Sequence, residues 1–235
     1  MRRAALVTGS SKGIGRAILL ALAAKGFDVA VHYRNSEAEA EATRLEAERL
    51  GIRAVKLKAD VTKLDQARSL IHTVASELGG PHVLVNNVGD YIKKPIDETS
   101  PEEWHTMLDS NLNAPFYLTQ AAIPHMAEAG WGRVVSIGFA GAQNLIARTG
   151  ITPYVIAKTG VILYSKALGK RLASRGITVN VVAPGIAETS VSKPVEDVPM
   201  GRLATVDELA QAVLFFVEHE YLTGQVMEVA GGWNL

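Results

Sequence analysis

A phenol and an amine stand four residues apart in the second half of the sequence. Tyr154 is followed by Lys158, and residues with this spacing lie on the same face of a helix. An ordinary tyrosine has a pKa of about 10, and a neighbouring ammonium group favours its ionised form. We therefore expect Lys158 to lower the pKa of Tyr154, and Tyr154 to donate and accept a proton. The alternative is a tyrosine packed at a helix start beside a lysine whose ammonium reaches solvent.

Three glycines follow the first apolar run. Residues 8–15 read Thr-Gly-Ser-Ser-Lys-Gly-Ile-Gly, a glycine-rich turn between a predicted strand and a predicted helix. Such glycines let the backbone approach a pyrophosphate, whose charge the helix N-terminus stabilises. The alternative is a set of glycines that only closes a tight turn. The dinucleotide contacts predicted in this turn come from Gly9, Ser11, Lys12, Gly13, Ile14 and Gly15.

The end of the second predicted strand indicates which dinucleotide is bound. Residues 32–36 read His-Tyr-Arg-Asn-Ser. An acidic residue at this place binds the ribose hydroxyls of NAD, but none is present, whereas Arg34 and Lys12 could bind a 2′-phosphate. We expect Arg34, Asn35 and Ser36 to contact the cofactor and the cofactor to be NADPH or NADP rather than NAD. The alternative is that both cations are ordinary solvated charges.

Short apolar runs alternate with segments of helical periodicity along the whole chain. The predicted strands cover residues 4–8, 27–32, 52–58, 82–86, 133–137, 177–182 and 226–229, and the predicted helices cover 14–25, 36–50, 63–78, 101–128, 152–174 and 206–218. This alternation predicts an α/β fold, a Rossmann-like, doubly wound, parallel seven-stranded sheet with helices on both faces. We expect a single dinucleotide-binding and catalytic domain over residues 1–235.

The composition argues against several other classes of protein. Lys plus Arg and Asp plus Glu both number 24, so the chain lacks the positive field that nucleic-acid binding needs. Cysteine is absent, which removes disulfides, thiolate nucleophiles and sulfur-ligated metals, and we expect no metal site. Neither a membrane-spanning stretch nor a signal-peptide core is apparent. We expect a soluble, cytoplasmic protein that binds neither membranes nor nucleic acid.

The order of the motifs resembles that of the short-chain dehydrogenase/reductase family. The resemblance covers the Thr-Gly-x-x-x-Gly-Ile-Gly turn, Asp60-Val61, Asn86-Asn87-Val88-Gly89, Tyr154-x-x-x-Lys158 and Pro184-Gly185-Ile186-Ala187-Glu188-Thr189. The whole chain is most similar to bacterial 3-oxoacyl-acyl-carrier-protein reductases. The resemblance implies hydride transfer between NADPH and a carbonyl or secondary alcohol, in a small molecule or an acyl thioester.

The resemblance also implies cofactor contacts beyond the glycine turn. The pair after the third strand would meet the adenine, and the segment after the sixth strand would hold the nicotinamide carboxamide and the diphosphate. Taken alone, Asp60 would fit a helix N-cap and Asn87 a turn. The residues implied are Asp60, Val61, Asn87, Gly89, Tyr154, Lys158, Pro184, Gly185, Ile186 and Thr189.

Three catalytic residues follow from the same resemblance. Tyr154 would be the general acid and base, Lys158 would lower its pKa and bind the nicotinamide ribose, and Asn111 would support a water-mediated proton relay. An asparagine in a helix can also serve only to distort or cap it locally, which is the alternative for Asn111. The last strand resembles one that supports a dimer face in family tetramers, so we expect a homotetramer or a homodimer.

The sequence departs from the family pattern after the fifth strand. The family places a serine there that hydrogen-bonds the substrate oxygen, but this position falls on Phe139 when aligned from the strand and near Gly141 when counted back from Tyr154. Ser136 should point to the opposite face. Loss of one preorganised donor costs about 3 to 4 kcal/mol in the transition state. Candidate substitutes are Gln143, Asn144 and Thr149.

These departures leave two rival functions open. One is reduction of another carbonyl or of a pteridine-like ring, and the other is a cofactor-binding sensor with little turnover. The segment between Thr189 and Pro199 is also short where the family carries a helical lid, so we expect a more open substrate site. Smaller departures are Val88 in place of an alanine and Ala230 in place of an aspartate.

Overall fold

Buried apolar runs form the strands of one parallel sheet in the computed structural model, which describes residues 2–234. The strands are β1 (Ala4–Val7), β2 (Asp28–Tyr33), β3 (Ala54–Lys58), β4 (Val83–Asn86), β5 (Gly132–Ile137), β6 (Ile177–Pro184) and β7 (Val226–Val229). Every residue of β1, β2, β4, β5 and β6 is buried, as expected for parallel strands covered on both faces. Their spatial order is β3-β2-β1-β4-β5-β6-β7.

Seven helices of the described chain cover the two faces of this sheet. They are α1 (Gly13–Ala24), α2 (Glu37–Glu48), α3 (Leu64–Leu78), α4 (Pro101–Leu108), α5 (Ala114–Glu128), α6 (Thr152–Leu172) and α7 (Val206–Glu218). On one face α1 and α7 pack against Val7 and Val31, and on the other α3 and α5 pack against Leu6 and Leu84. The predicted doubly wound, Rossmann-like sheet is confirmed, with element ends that differ by a few residues.

The order of the strands reverses beside β1, which pairs in parallel with both β2 and β4. At such a switch point the connections leave on opposite faces of the sheet, and a crevice opens beyond the carboxyl ends of the strands. The glycine turn follows β1, and the segments that follow β4, β5 and β6 start at the same edge of the sheet. The topology therefore brings together motifs that lie far apart in the sequence.

The single helix predicted over residues 101–128 is wrong in one respect. A π-helical turn at Asp109–Asn113 separates α4 from α5. Within it, the Asn111 side-chain Nδ2 donates to the carbonyl oxygens of Met107 at 3.1 Å and Asp90 at 2.9 Å. A side chain that competes for backbone acceptors widens a helix locally, and π turns of this kind are frequent at functional sites.

No helix within residues 2–234 is both long enough and apolar enough to cross a membrane.

Candidate active site

Two adjoining clefts lie at the carboxyl edge of the sheet. The smaller, of about 460 Å³, extends over the glycine turn and the ends of β2 and β3. The larger, of about 620 Å³, extends over the ends of β5 and β6 and the start of α6. Both are lined by Ile14, Asn87, Gly89 and Thr189. A long ligand could therefore pass from one cleft into the other.

The glycine turn is shaped by close backbone approaches. Gly9 and Gly13 have φ values of 64° and 57°, a left-handed conformation that glycine adopts readily. A Cβ at Gly15 would overlap the carbonyl oxygen of Gly9 and lie 2.6 Å from Asn87 Nδ2. The turn ends at the N-terminus of α1, whose first amides and dipole favour a negatively charged group. This cradle fits the pyrophosphate of a dinucleotide.

Side chains from two neighbouring strands fix the turn in place. The Gly9 amide donates to His32 Nδ1 at 2.9 Å, and the other ring nitrogen of His32 bonds the Ala59 carbonyl at 3.1 Å. Burial lowers the pKa of His32 to about 4, so the ring is neutral at neutral pH. Asn87 Nδ2 donates to the Thr8 carbonyl at 2.8 Å, while the Thr8 hydroxyl accepts the Asn87 amide at 2.9 Å. Sequence reasoning assigned no role to His32 or Thr8.

Most residues predicted to bind the cofactor line one of the clefts. Gly13, Asn35 and Ser36 are the exceptions, since they line neither cleft. Asn35 is exposed, and Ser36 stands at the N-cap of α2. The predicted residues on the smaller cleft are Gly9, Ser11, Lys12, Ile14, Gly15, Arg34, Asp60, Val61, Asn87, Gly89 and Thr189. The larger cleft adds Tyr154, Lys158, Pro184, Gly185 and Ile186.

Asp60 is held at the rim of the smaller cleft. Its Oδ1 accepts from the Thr62 amide at 3.1 Å and the Thr62 hydroxyl at 2.7 Å. Burial alone would raise the pKa of Asp60, but the bonds from Thr62 and the charges of Arg34 and Lys63 keep it below its ordinary value. The N-cap position of α3 belongs to Lys63, so Asp60 is not the helix cap that its type suggested.

Tyr154 and Lys158 face the larger cleft from the first turns of α6. Lys158 Nζ lies 5.5 Å from the centroid of the Tyr154 ring and donates to the Ile137 carbonyl at 2.7 Å. Lys158 is buried and Tyr154 is half-buried. The expected lowering of the tyrosine pKa is wrong for these residues by themselves, because burial and the neighbouring Tyr91 raise the pKa of Tyr154. Burial also lowers the pKa of Lys158 to about 8, since a low-dielectric site disfavours both charged forms.

Asn111 lines the same cleft, and its side-chain oxygen has no hydrogen-bond partner within the described residues. Its Oδ1 is buried and accepts no hydrogen bond from the residues that the structure describes. A Cβ at Gly89 would overlap this oxygen and would lie 3.5 Å from Lys158 Nζ. Asn111, Gly89 and Lys158 therefore converge, and the free acceptor is suited to a donor from a ligand or water. The structure brings the three predicted catalytic residues into one cleft.

Phe139 occupies the place where the resemblance implies a serine. Its ring lies edge-on to Tyr154, with centroids 5.4 Å apart. Ser136 points to the other face, where its hydroxyl accepts from Asn86 Nδ2 at 3.3 Å. Of the three candidate substitutes, Thr149 lines the cleft, whereas Gln143 and Asn144 do not, because Gln143 bonds Glu228 beyond the rim at 3.3 Å.

Comparisons with known proteins agree over nearly the whole chain. The family model described as enoyl-(acyl carrier protein) reductase matches residues 9–234. The 3-oxoacyl-acyl-carrier-protein reductase FabG of Staphylococcus aureus is 35% identical, covering 99% of this chain and 98% of its own length. FabG of Escherichia coli is 37% identical, with 97% and 96% covered. The chain belongs to the short-chain dehydrogenase/reductase family. It is an NAD(P)-dependent oxidoreductase.

Solved structures place this short-chain dehydrogenase/reductase among proteins of the same fold. A short chain dehydrogenase from Burkholderia cenocepacia in complex with NADP superposes with a TM-score of 0.93 at 34% identity, covering 100% of this chain and 98% of the other. A blue fluorescent protein from a metagenomic library in complex with NADPH gives a TM-score of 0.93 at 33% identity, covering 99% and 98%.

Among the residues of this short-chain dehydrogenase/reductase that line the larger cleft without being predicted from the sequence are Trp233 and Arg148. Trp233 follows β7 and folds back so that its ring centroid lies 5.6 Å from that of Phe139. Arg148 lies over both rings, with Cζ 5.4 Å from the Phe139 centroid and 4.8 Å from the Trp233 centroid. The signal available was weak, since Trp233 only ends a Gly-Gly-Trp turn and Arg148 stands in an irregular loop.

Proposed function

We propose that this protein reduces a carbonyl group with NADPH, and oxidises the corresponding secondary alcohol in reverse. The observation that supports this most directly is the convergence of Tyr154, Lys158 and Asn111 on one cleft that continues into the glycine turn. NADPH, when bound, would supply the hydride. The chain itself must then orient the carbonyl, exclude water and deliver a proton to its oxygen.

Tyr154 is the proton donor in this proposal. Its raised pKa keeps the phenol protonated at neutral pH, which is the form that reduction consumes. Lys158 is held by the Ile137 carbonyl beneath the ring, where its charge stabilises the phenolate left after proton transfer. Asn111 offers its free Oδ1 beside Lys158 to a water that returns the proton.

The preference for NADPH rests on the rim of the smaller cleft. Arg34 and Lys12 both line it, and no acidic residue stands at the end of β2. Their positive charges suit the 2′-phosphate that distinguishes NADP from NAD. Two of the similar structures are complexes with NADPH or NADP, which supports the same choice.

The substrate side of the proposal is a carbonyl in a small molecule or an acyl thioester. The relatives named 3-oxoacyl-acyl-carrier-protein reductase favour a 3-oxoacyl thioester. Phe139 favours a different substrate, because it replaces a donor to the carbonyl oxygen with an apolar ring. The same residue favours the second candidate function, a cofactor sensor that binds NADPH and turns over little.

Assembly into a homodimer or homotetramer belongs to the same proposal. Leu163 on α6 is 71% exposed, and Phe116 on α5 is also exposed although its ring packs 5.7 Å from that of Tyr164. Exposed apolar side chains on adjacent helices are typical of subunit interfaces. We also propose that cofactor and substrate bind within one domain that spans residues 1–235.

The decisive experiment combines binding with turnover. NADPH and NADH are titrated by their fluorescence, and cofactor oxidation is then followed with acetoacetyl thioesters and with simple diketones. We expect tighter binding of NADPH than of NADH, and oxidation with at least one carbonyl. Tight binding without oxidation on any carbonyl would favour the sensor, and absence of cofactor binding would overturn both functions.

A further inference from the structure

Two cationic side chains, one exposed and one half-buried, line the outer part of the larger cleft. No acidic side chain within residues 2–234 lines this cleft. The cations are Lys93 and Arg148. Their segments are joined by backbone hydrogen bonds, from Lys94 N to the Gly150 carbonyl at 2.8 Å and from Ile96 N to the Thr149 carbonyl at 3.0 Å. The two charges are therefore held on one rim, and neither residue lines the smaller cleft over the glycine turn. They are placed to meet substrate rather than the cofactor diphosphate.

The neighbours of Arg148 hold its side chain in place without neutralising its positive charge. One Nη2 hydrogen bond goes to Asn234 Oδ1 at 3.0 Å, and the guanidinium lies over the rings of Phe139 and Trp233. None of the ion pairs formed within residues 2–234 includes Arg148 or Lys93. A guanidinium has five N–H donors in a planar fork that matches a carboxylate, so most of its donors remain available to a ligand.

The aromatic side chains between Arg148 and the catalytic residues form an apolar wall in which neighbouring rings stand nearly perpendicular to each other. Phe139 lies edge-on to Tyr154 on one side and to Trp233 on the other, with centroids 5.4 Å and 5.6 Å away. Tyr91 also lines the cleft, with its ring centroid 5.2 Å from that of Tyr154. Such edges and faces pack well against a planar unsaturated body. The carbonyl to be reduced and an anionic group would then lie at opposite ends of that body.

We propose that the substrate is a planar, unsaturated or aromatic ketone or aldehyde that carries a carboxylate, bound by Arg148 with help from Lys93. This inference rests on the proposed carbonyl reduction and narrows its substrate class. It also gives Phe139 a purpose other than loss of a donor, since the ring supports both the substrate body and the Arg148 side chain.

The test compares matched acids and amides. 3-Acetylbenzoate and 4-acetylbenzoate are each paired with the corresponding acetylbenzamide, which has the same shape without the charge. Binding is measured by quenching of tryptophan fluorescence, with Trp233→Phe to assign the signal, and turnover by NADPH oxidation. We expect at least one acid to bind and react at least ten-fold better than its amide, as a charge-assisted hydrogen bond implies.

Substitutions at the two cations test which residue causes the preference for the acid over the amide. Arg148→Gln should reduce the preference for the acid at least ten-fold, and Arg148→Lys should retain part of it. Lys93→Gln should reduce it by about three-fold, as a single partly solvated charge would. Lys94→Gln is the matched control, because Lys94 is the adjacent lysine but pairs with Glu103 at 2.9 Å and lines neither cleft; it should leave the preference unchanged. Thermal unfolding checks that each variant is folded.

The outcomes separate this inference from the proposed function. Equal binding of acids and amides, an acid preference that survives in folded Arg148→Gln, or binding of neither compound would overturn the carboxylate proposal. Turnover of acids and amides alike would overturn it while leaving carbonyl reduction in place. Acid-selective binding that depends on Arg148, but without oxidation of NADPH by any carbonyl, would support the subsite and contradict the proposed function.

Discussion

The two clefts are built in different ways, although they share four residues. Around the glycine turn, polar side chains bond to the protein itself: Thr8 and Asn87 bind each other's backbone, and His32 bridges Gly9 and Ala59. Around Tyr154, aromatic rings meet edge to face, Asn111 Oδ1 has no partner within the described residues, and a lysine is buried. The glycine turn is braced by hydrogen bonds within the protein, whereas the site around Tyr154 leaves a buried acceptor to a ligand or water.

This difference indicates a division of labour. A turn braced by satisfied hydrogen bonds has one geometry, which suits a cofactor whose diphosphate never varies. Aromatic packing is less directional, and a single change such as serine to phenylalanine can reshape it without unfolding the sheet. We expect the glycine-turn side to respond to substitution mainly in stability and cofactor affinity, and the Tyr154 side mainly in turnover and selectivity.

The largest expected effect lies on the Tyr154 side. Tyr154→Phe keeps the ring between Tyr91 and Phe139 but removes the proton donor, so kcat should fall by about 10²- to 10⁴-fold. The affinity for NADPH should change little, because the glycine turn is untouched. Steady-state turnover and NADPH titration measure the two effects, with Tyr91→Phe as the matched loss of a nearby hydroxyl. Undiminished turnover in Tyr154→Phe would exclude this tyrosine as the acid.

A stability effect of intermediate size belongs to the glycine-turn side. The pKa of His32 is about 4 in the folded chain against 6.5 ordinarily, so on acidification the unfolded chain takes up this proton first. The free energy of unfolding should therefore fall by about 3 kcal/mol between pH 6.5 and pH 4 because of this residue. Well above pH 6.5, where the histidine is neutral in both states, its contribution is constant.

Urea unfolding at several pH values tests this prediction. His32→Asn keeps an acceptor for the Gly9 amide but cannot titrate, so its acid sensitivity should be smaller than that of the wild type. His72→Asn is the control, because His72 is exposed on α3 and should leave the pH dependence as it was. Identical pH dependence in wild type and His32→Asn would contradict the assignment.

A smaller effect is expected at the rim of the smaller cleft. Arg34→Gln removes a charge assigned to the 2′-phosphate, so the Kd for NADPH should rise by about 10-fold or more, as for a lost charge-assisted hydrogen bond. The Kd for NADH, which lacks this phosphate, should stay within about two-fold. Fluorescence titration of both cofactors gives the ratio. An equal loss of affinity for NADPH and NADH would show that Arg34 does not contact the 2′-phosphate.

The smallest expected effect concerns Phe139, which stands in the larger cleft where the family has a serine. Phe139→Ser restores a hydroxyl near Tyr154, and turnover of small neutral ketones should rise by about 10-fold, part of the gain that a preorganised donor can give. Phe139→Ala is the control, because it opens the same space without a donor. Equal gains in both variants would attribute the effect to space alone.

Local patterns predicted the scaffold and much of the candidate site. Alternating apolar and helical periods specify the strands and helices, because burial of each face is encoded residue by residue. Strand-end motifs such as the glycine turn and Asp60 also followed from the sequence, since parallel strands must end at one edge. Arg34 and Lys158 were placed by the same reasoning, and both line the clefts.

Contacts between distant segments were not predictable in this way. Arg148 and Trp233 meet Phe139 only because the chain after β7 folds back over the end of β5, and no periodicity encodes that return. The π turn around Asn111 depends on a bond to Asp90, which lies before α4 in the chain. Gly13, Asn35 and Ser36 were assigned from their positions in the sequence alone, and they line neither cleft.

The sequence by itself therefore determined the sheet, the glycine cradle and the pairing of Tyr154 with Lys158 on one helical face, because each depends on spacing within a short segment. Only the tertiary structure decided the protonation tendency of that pair. Spacing brings the ammonium near the phenol, but the surrounding chain buries the ammonium and part of the phenol, and desolvation outweighs their proximity. The tertiary structure also determined the aromatic wall and the position of Arg148 beside it, because both depend on packing between segments far apart in the chain.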